Sequence, residues 1–107
     1  MSRIGEVIER LSATISARRD ADPSSSWTAK LLSDGVERCA KKLGEEAVET
    51  VISAVAGDRA GLAAESADLI YHWLVTLEAA GVSLDDVAER LEAREGRSGV
   101  SEKASRG

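Results

Sequence analysis

Five acidic side chains lie close together in the middle of this 107-residue chain. Glu45, Glu46 and Glu49 belong to the run GEEAVE, and Glu65 and Asp68 belong to the run ESAD. Residues three or four positions apart share one face of a helix, so each run predicts carboxylates on a common face. Carboxylates held close together repel one another, and a hard divalent cation such as Mg²⁺ reverses that cost. The pattern either belongs to a metal-assisted phosphate hydrolase or is the ordinary solvated surface of two helices.

Two long helices joined by a short turn are predicted to carry these acids. Apolar residues recur every three or four positions over about residues 36–56, and again over about residues 59–80. Gly57 is a stop signal for the first helix, and Asp58 is an N-cap signal for the second. Such a short turn favours an antiparallel pair.

In an antiparallel pair, the acids of the two helices lie at matching heights. Glu49 and Glu65 each lie about 12 Å along their helix from the turn, and Glu46 and Asp68 lie about one helical turn further away. On a helical wheel Glu45 and Glu49 flank the apolar stripe of the first helix, and Glu46 lies further round. Glu65 and Asp68 lie beside the apolar stripe of the second helix. The stripe of the first helix contains Val48, Val51, Ile52 and Val55. We therefore expect the carboxylates to face one another at the edge of the core.

The remaining periodic segments predict an all-α fold. One amphipathic helix covers about residues 3–18, and Ser26 is placed to cap a short helix over residues 27–33. Ser83 begins a sequence that resembles a capping box before a last helix. The sequence thus predicts a four-helix bundle-like domain over residues 1–96, with a short extra helix and a flexible C-terminal tail.

Composition excludes several classes of function. The formal net charge of −5 argues against a general nucleic-acid binder, which usually carries a basic face. A single cysteine, Cys39, and a single histidine, His72, exclude a disulfide framework and a site rich in Cys or His. A bound metal is therefore expected to be Mg²⁺ or Mn²⁺ held by oxygen. No apolar run has the length of a membrane span, so we expect a soluble, cytoplasmic protein.

Several segments resemble phosphoribosyl-ATP pyrophosphatases, small helical enzymes of the second step of histidine biosynthesis. The acidic runs alone suit the wider group of MazG-like all-α nucleotide pyrophosphatases. SWTAKLL before those runs and EKASR after them make the resemblance more specific. Trp27 departs from it, because this family is expected to have Tyr there. The segments that carry the resemblance are SWTAKLLSDG (26–35), KKLGEEAVE (41–49), GDRAGLAAESADLIYHWLV (57–75), GVSLDDV (81–87) and SEKASRG (101–107).

The resemblance implies Mg²⁺-dependent hydrolysis of 1-(5-phosphoribosyl)-ATP to 1-(5-phosphoribosyl)-AMP and pyrophosphate. It implies that Glu46, Glu49, Glu65 and Asp68 bind the metal, and that Glu45 is a further ligand or orients water. A carboxylate not fully engaged by metal accepts the proton of the attacking water, and Glu45 and Glu49 are the candidates. The chain lacks the Cys and His ligands of the cyclohydrolase that acts next, so that activity is expected on a separate chain.

An anionic substrate also needs positive groups. Lys30, Lys42, Lys103 and Arg106 are the candidates for binding its phosphates. Lys103 and Arg106 lie in the polar tail, residues 97–107, which is either disordered or closes over the phosphates when substrate binds.

Two alternatives to this function remain open for the whole chain. A house-cleaning nucleoside triphosphate pyrophosphatase would use the same acids, and a non-enzymatic helical dimerisation module would not need them. We expect a homodimer in each case, because a chain of this length has a thin core. His72, one turn after Asp68, is either a hydrogen-bond partner of that carboxylate or an ordinary packing residue.

Overall fold

The computed structural model describes residues 1–96 and, within that range, consists of helices and their connections. The predicted all-α fold is confirmed, and the helix bounds differ from the predicted ones by one or two residues. No helix of the described part is both long and apolar enough to cross a membrane. The predicted tail, with Lys103 and Arg106, lies outside the described residues. The helices are α1 (Ile4–Ala17), α2 (Trp27–Asp34), α3 (Val36–Val55), α4 (Arg59–Ala80) and α5 (Leu84–Glu92).

Local hydrogen bonds explain where the helices begin and end. The Ser26 hydroxyl accepts a hydrogen bond from the Ala29 N–H at 3.1 Å and caps α2. The Asp58 carboxylate caps α4 in the same way, at 2.9 Å. Ser83 and Asp86 form the expected capping box at the start of α5. α4 ends at Gly81, which has φ 73° and ψ 28°, a left-handed conformation that glycine adopts without steric cost.

The core lies at one end of the molecule. α3 and α4 form a long antiparallel pair, α2 packs against both, and α1 packs against α4. The buried core side chains come from α1, from α2 and from the half of this pair that lies away from the Gly57 turn, and Cys39 is among them. The core cluster consists of Ile15, Leu31, Cys39, Leu74 and Val75. The half near the turn, which carries the acids, contributes no residue to it.

A polar contact fastens α1 to the end of α4. The Glu78 carboxylate accepts hydrogen bonds from the Ser16 hydroxyl at 2.9 Å and from the Arg19 Nε at 3.1 Å. Arg19 also donates to the Glu78 main-chain carbonyl at 2.6 Å. This contact lies at the core end of the molecule, so it does not brace the acids.

The apolar stripe of α3 near the turn is exposed, which corrects the expectation that it forms part of the core. We call these four residues the valine face. Their exposed fractions are 58% for Val48, 60% for Val51, 57% for Ile52 and 84% for Val55. The reason is that α3 turns its opposite side, with Glu46 and Thr50, towards α4 at this level. Leu91 of α5 is also exposed, at 62%, although its spacing predicts an inward position.

Candidate metal centre

Three carboxylates from the two central helices converge. Glu46 of α3 and Glu65 and Asp68 of α4 each offer an oxygen atom, and these atoms all lie within 4.8 Å of one another. Glu46 and Glu65 are partly buried between the helices, and Asp68 is exposed. The antiparallel pairing brings them together because each lies about eight to eleven residues from the Gly57 turn, at similar heights along the pair. We call these three residues the acid cluster.

The cluster is electrostatically costly without a counter-charge. Partial burial is the largest cause that raises the pKa of Glu65, and a hydrogen bond to the Glu46 side chain is the next. The negative charges of Glu46, Asp68 and Glu49 raise the pKa of Glu65 further. A cation bound among these oxygens would remove the penalty, whereas a proton on Glu65 removes only part of it.

The donor set fits a hard divalent cation. Mg²⁺ and Mn²⁺ prefer carboxylate oxygen, and all three groups of the cluster provide it. Within residues 1–96, no Lys, Arg, Ser or Thr side chain donates a hydrogen bond to these carboxylates. Two neighbouring donors, Thr50 and His72, bond main-chain carbonyls instead. The carboxylate oxygens therefore remain available as ligands.

Two predicted acids lie outside the cluster. Glu49 is exposed, one turn from Glu46 on α3, and its charge acts on Glu65 without joining the group of three. Glu45 turns away and accepts a hydrogen bond from Lys42 Nζ at 3.2 Å. The structure thus brings together three of the four acids expected to bind metal, with Glu49 beside them and Glu45 apart.

Within the described residues, two lysines expected to bind phosphate, Lys30 and Lys42, are paired with acids. Lys30 Nζ lies 3.0 Å from one carboxylate oxygen of Asp34, within α2. Lys42 pairs with Glu45, and its side chain is only 26% exposed. Lys42 lies on α3, one turn before Glu46, which puts it on the helix that carries part of the acid cluster.

His72 is a buried residue and does not bond the Asp68 carboxylate. Its Nδ1 lies 2.9 Å from the main-chain carbonyl oxygen of Asp68, and only 7% of the residue is exposed. Its Nε2 has no hydrogen-bond partner among the described residues. Sequence reasoning missed Thr50, whose only signal is its position four residues after Glu46.

Comparisons with known proteins find similar sequences over nearly the whole chain. The family model described as "Phosphoribosyl-ATP pyrophosphohydrolase" matches residues 8–95, which include the acid cluster. A protein of Caulobacter vibrioides named "Phosphoribosyl-ATP pyrophosphatase" is 66% identical over 104 residues, which cover 97% of this chain and 96% of that protein. Proteins of the same name from Cereibacter sphaeroides and Dinoroseobacter shibae are each 63% identical, over 94% of this chain and 98% of theirs.

Proposed function

The chain belongs to the phosphoribosyl-ATP pyrophosphohydrolase family, and from that premise we propose that the acid cluster is the metal centre of its reaction. The enzyme hydrolyses the phosphoric anhydride of 1-(5-phosphoribosyl)-ATP, which gives 1-(5-phosphoribosyl)-AMP and pyrophosphate in histidine biosynthesis. The observation that carries the assignment is the convergence of three carboxylate oxygens from two helices within 4.8 Å.

Glu46, Glu65 and Asp68 would hold Mg²⁺, or Mn²⁺ in its place. The cation supplies positive charge that neutralises phosphate oxygens and stabilises the pyrophosphate leaving group. The chain's own contribution is to hold the three carboxylates ready on two packed helices, so that little reorganisation is needed when substrate arrives.

The attacking water needs a proton acceptor. Glu49 is the better candidate, because it lies beside the acid cluster and remains exposed. Glu45 is the weaker one, because its carboxylate already accepts a hydrogen bond from Lys42. A carboxylate that neither binds metal nor forms an ion pair is free to accept the proton.

Lys42 and Lys30 bind the substrate phosphates, and Lys103 and Arg106 add to that positive charge. Lys42 has the better position, because it precedes Glu46 by one turn on the same helix. Binding of a triphosphate would draw its ammonium group away from Glu45, since phosphate carries more negative charge than a single carboxylate.

The valine face is the contact with a second copy of the chain. Its four apolar side chains lie on consecutive turns at the α3 end that lacks core packing, and each is more than half exposed. In a dimer with two-fold symmetry, as in most homodimers, the valine face of one copy packs against the valine face of the other. The acid cluster lies on the opposite side of α3 from this contact, so pairing leaves the acids accessible to substrate.

Release of pyrophosphate from phosphoribosyl-ATP tests the function directly. We expect turnover with Mg²⁺ and none with EDTA, and much weaker turnover of ordinary nucleoside triphosphates. Glu46→Gln and Asp68→Asn should each lower kcat by about a hundredfold or more while the circular dichroism spectrum stays helical. Glu9→Gln, which removes an exposed carboxylate of α1, is the matched control. Full activity in both cluster variants would refute the proposed centre.

A further inference from the structure

Two side chains bond the main chain of acid-cluster residues. The Thr50 hydroxyl donates to the main-chain carbonyl of Glu46 at 2.7 Å, and His72 Nδ1 lies 2.9 Å from that of Asp68. Because a carbonyl oxygen only accepts hydrogen bonds, Nδ1 is the protonated nitrogen of His72. Each donor follows its acid by four residues. α3 and α4 run antiparallel, so Thr50 lies on the turn side of the cluster and His72 on the core side.

Such a bond affects the direction in which the acid points. A helical carbonyl already accepts the N–H of the residue four positions later, and a second donor tilts the carbonyl outward and bends the helix slightly. The Cα–Cβ bonds of Glu46 and Asp68 are fixed to this backbone. Mg²⁺ tolerates little deviation from octahedral geometry at oxygen distances of about 2.0–2.1 Å, so small changes in direction affect its affinity.

The same bonds keep two donors away from the carboxylates. A hydroxyl or imidazole N–H beside an acid would ordinarily bond its carboxylate and occupy an oxygen that a cation needs. Thr50 and His72 donate to the backbone instead. The His72 ring is held in this orientation, because it is buried and packs edge-on against the Tyr71 ring, with centroids 4.9 Å apart and planes at 85°.

We propose that Thr50 and His72 are positioning residues of the metal centre: by bonding the main-chain carbonyls of Glu46 and Asp68, they set the direction of these two carboxylates and leave their oxygens open. This inference rests on the proposed function, because it requires the acid cluster to bind a divalent cation. Neither residue touches the cation or the substrate.

Binding of Mn²⁺ alone to the full chain, measured by calorimetry after removal of metal with EDTA, tests the role of Thr50. Thr50→Val keeps the shape of the side chain and removes the donor, so we expect Mn²⁺ affinity to fall by about three- to tenfold. Thr50→Ser restores the donor and should bind within about twofold of the unsubstituted chain. Thr14→Val is the matched control, because Thr14 makes the same bond to Arg10, at 3.0 Å, in the remote helix α1.

His72 is tested by the same measurement. His72→Leu removes the donor and should weaken Mn²⁺ binding by a similar factor, whereas His72→Asn retains an N–H near the position of Nδ1 and should lose less. In hydrolysis assays, Thr50→Val and His72→Leu should need more Mg²⁺ for half-maximal rate and approach the normal kcat at saturation. A purely structural role would instead lower the melting temperature and kcat at every Mg²⁺ concentration.

The outcomes separate this inference from the proposed function. Equal Mn²⁺ affinity in Thr50→Val and the unsubstituted chain would overturn the positioning role and leave the metal centre intact. Equal weakening in Thr50→Ser or in Thr14→Val would overturn it as well. Absence of Mn²⁺ binding in the unsubstituted chain, or unchanged binding in Glu46→Gln, would overturn the metal centre itself and the inference with it.

Discussion

Glu46 of α3 and Glu65 of α4 face each other across the helix pair, and one carboxylate oxygen of each lies within 4.8 Å of the other. Two carboxylates at this distance repel each other, and the charge of Glu46 is among the causes that raise the pKa of Glu65. A proton or a cation bound between the two groups would relieve this repulsion.

The first prediction concerns stability in the absence of metal. The folded-state pKa of Glu65 is raised, so between its ordinary value and the raised one the folded chain binds more protons than the unfolded chain. The free energy of unfolding should therefore fall as pH rises through this window. Glu65→Gln removes the ionisable carboxyl group whose pKa is raised. In EDTA at neutral pH, this variant should therefore melt at a higher temperature than the unsubstituted chain.

Thermal melts followed by circular dichroism check this. The advantage of Glu65→Gln should shrink as pH falls through this window and be lost below about 4, where an ordinary glutamate is itself protonated. Saturating Mn²⁺ should reverse the order of the two melting temperatures, because only the unsubstituted chain keeps all three ligands. Glu9→Gln is the control for loss of one surface charge. A variant that melts lower than the unsubstituted chain in EDTA would contradict the prediction.

The second prediction separates the two candidate proton acceptors. Glu49→Gln should lower kcat by about a hundredfold or more, the usual effect of losing a general base, and should weaken Mn²⁺ binding only slightly. Glu45→Gln should affect kcat much less, because Glu45 is engaged with Lys42. Steady-state kinetics and calorimetry on both variants check this. The reverse ranking would assign the proton transfer to Glu45.

The third prediction concerns substrate binding by the lysines. Lys42→Met should raise KM for phosphoribosyl-ATP about tenfold with little change in kcat, because a partly buried ammonium beside the acids contacts phosphate. Lys30→Met should have a smaller effect, since Lys30 is half exposed and paired within α2. Initial rates over a range of substrate concentrations check both. An unchanged KM in Lys42→Met would leave that lysine with a structural role only.

The fourth prediction concerns the oligomeric state. Val51→Asp puts a charge in the middle of the valine face, where an apolar partner surface would have to desolvate it, so the proposed dimer should dissociate to monomers. Leu91→Asp, at an equally exposed apolar position of α5, should leave the dimer intact. Sedimentation at several protein concentrations distinguishes the two. A dimeric Val51→Asp chain would mean that copies meet elsewhere.

The helices were predictable because their signals are local. Ser26, Asp58 and Ser83 each bond a backbone N–H within three residues, and glycines mark the ends of α3 and α4. The acid cluster was predictable for a related reason, because spacing within each helix and distance from one turn set its register. The same spacing also placed Glu49 in the cluster, because residue spacing sets the height of an acid along its helix but does not fix the position of its carboxylate to within a few ångströms.

Other features depend on information that a single sequence lacks. The valines of α3 form a clear apolar stripe, but a stripe does not tell whether its cover is α4 or another chain. The hydrogen bonds of Thr50 and His72 depend on side-chain rotamers, which the packing around them selects. Spacing placed His72 beside Asp68, but it did not distinguish a carboxylate oxygen from a carbonyl oxygen.

The one-sided position of the core has a consequence for how the molecule responds to its ligands. Ile15, Leu31 and Val75 anchor one end of the helix pair, while the end near Gly57 has no comparable anchor. That end should open more readily, so its amide hydrogens should exchange with solvent faster than those around the core. A cation that ties α3 to α4 would then slow this exchange near Gly57 and leave the exchange around the core unchanged.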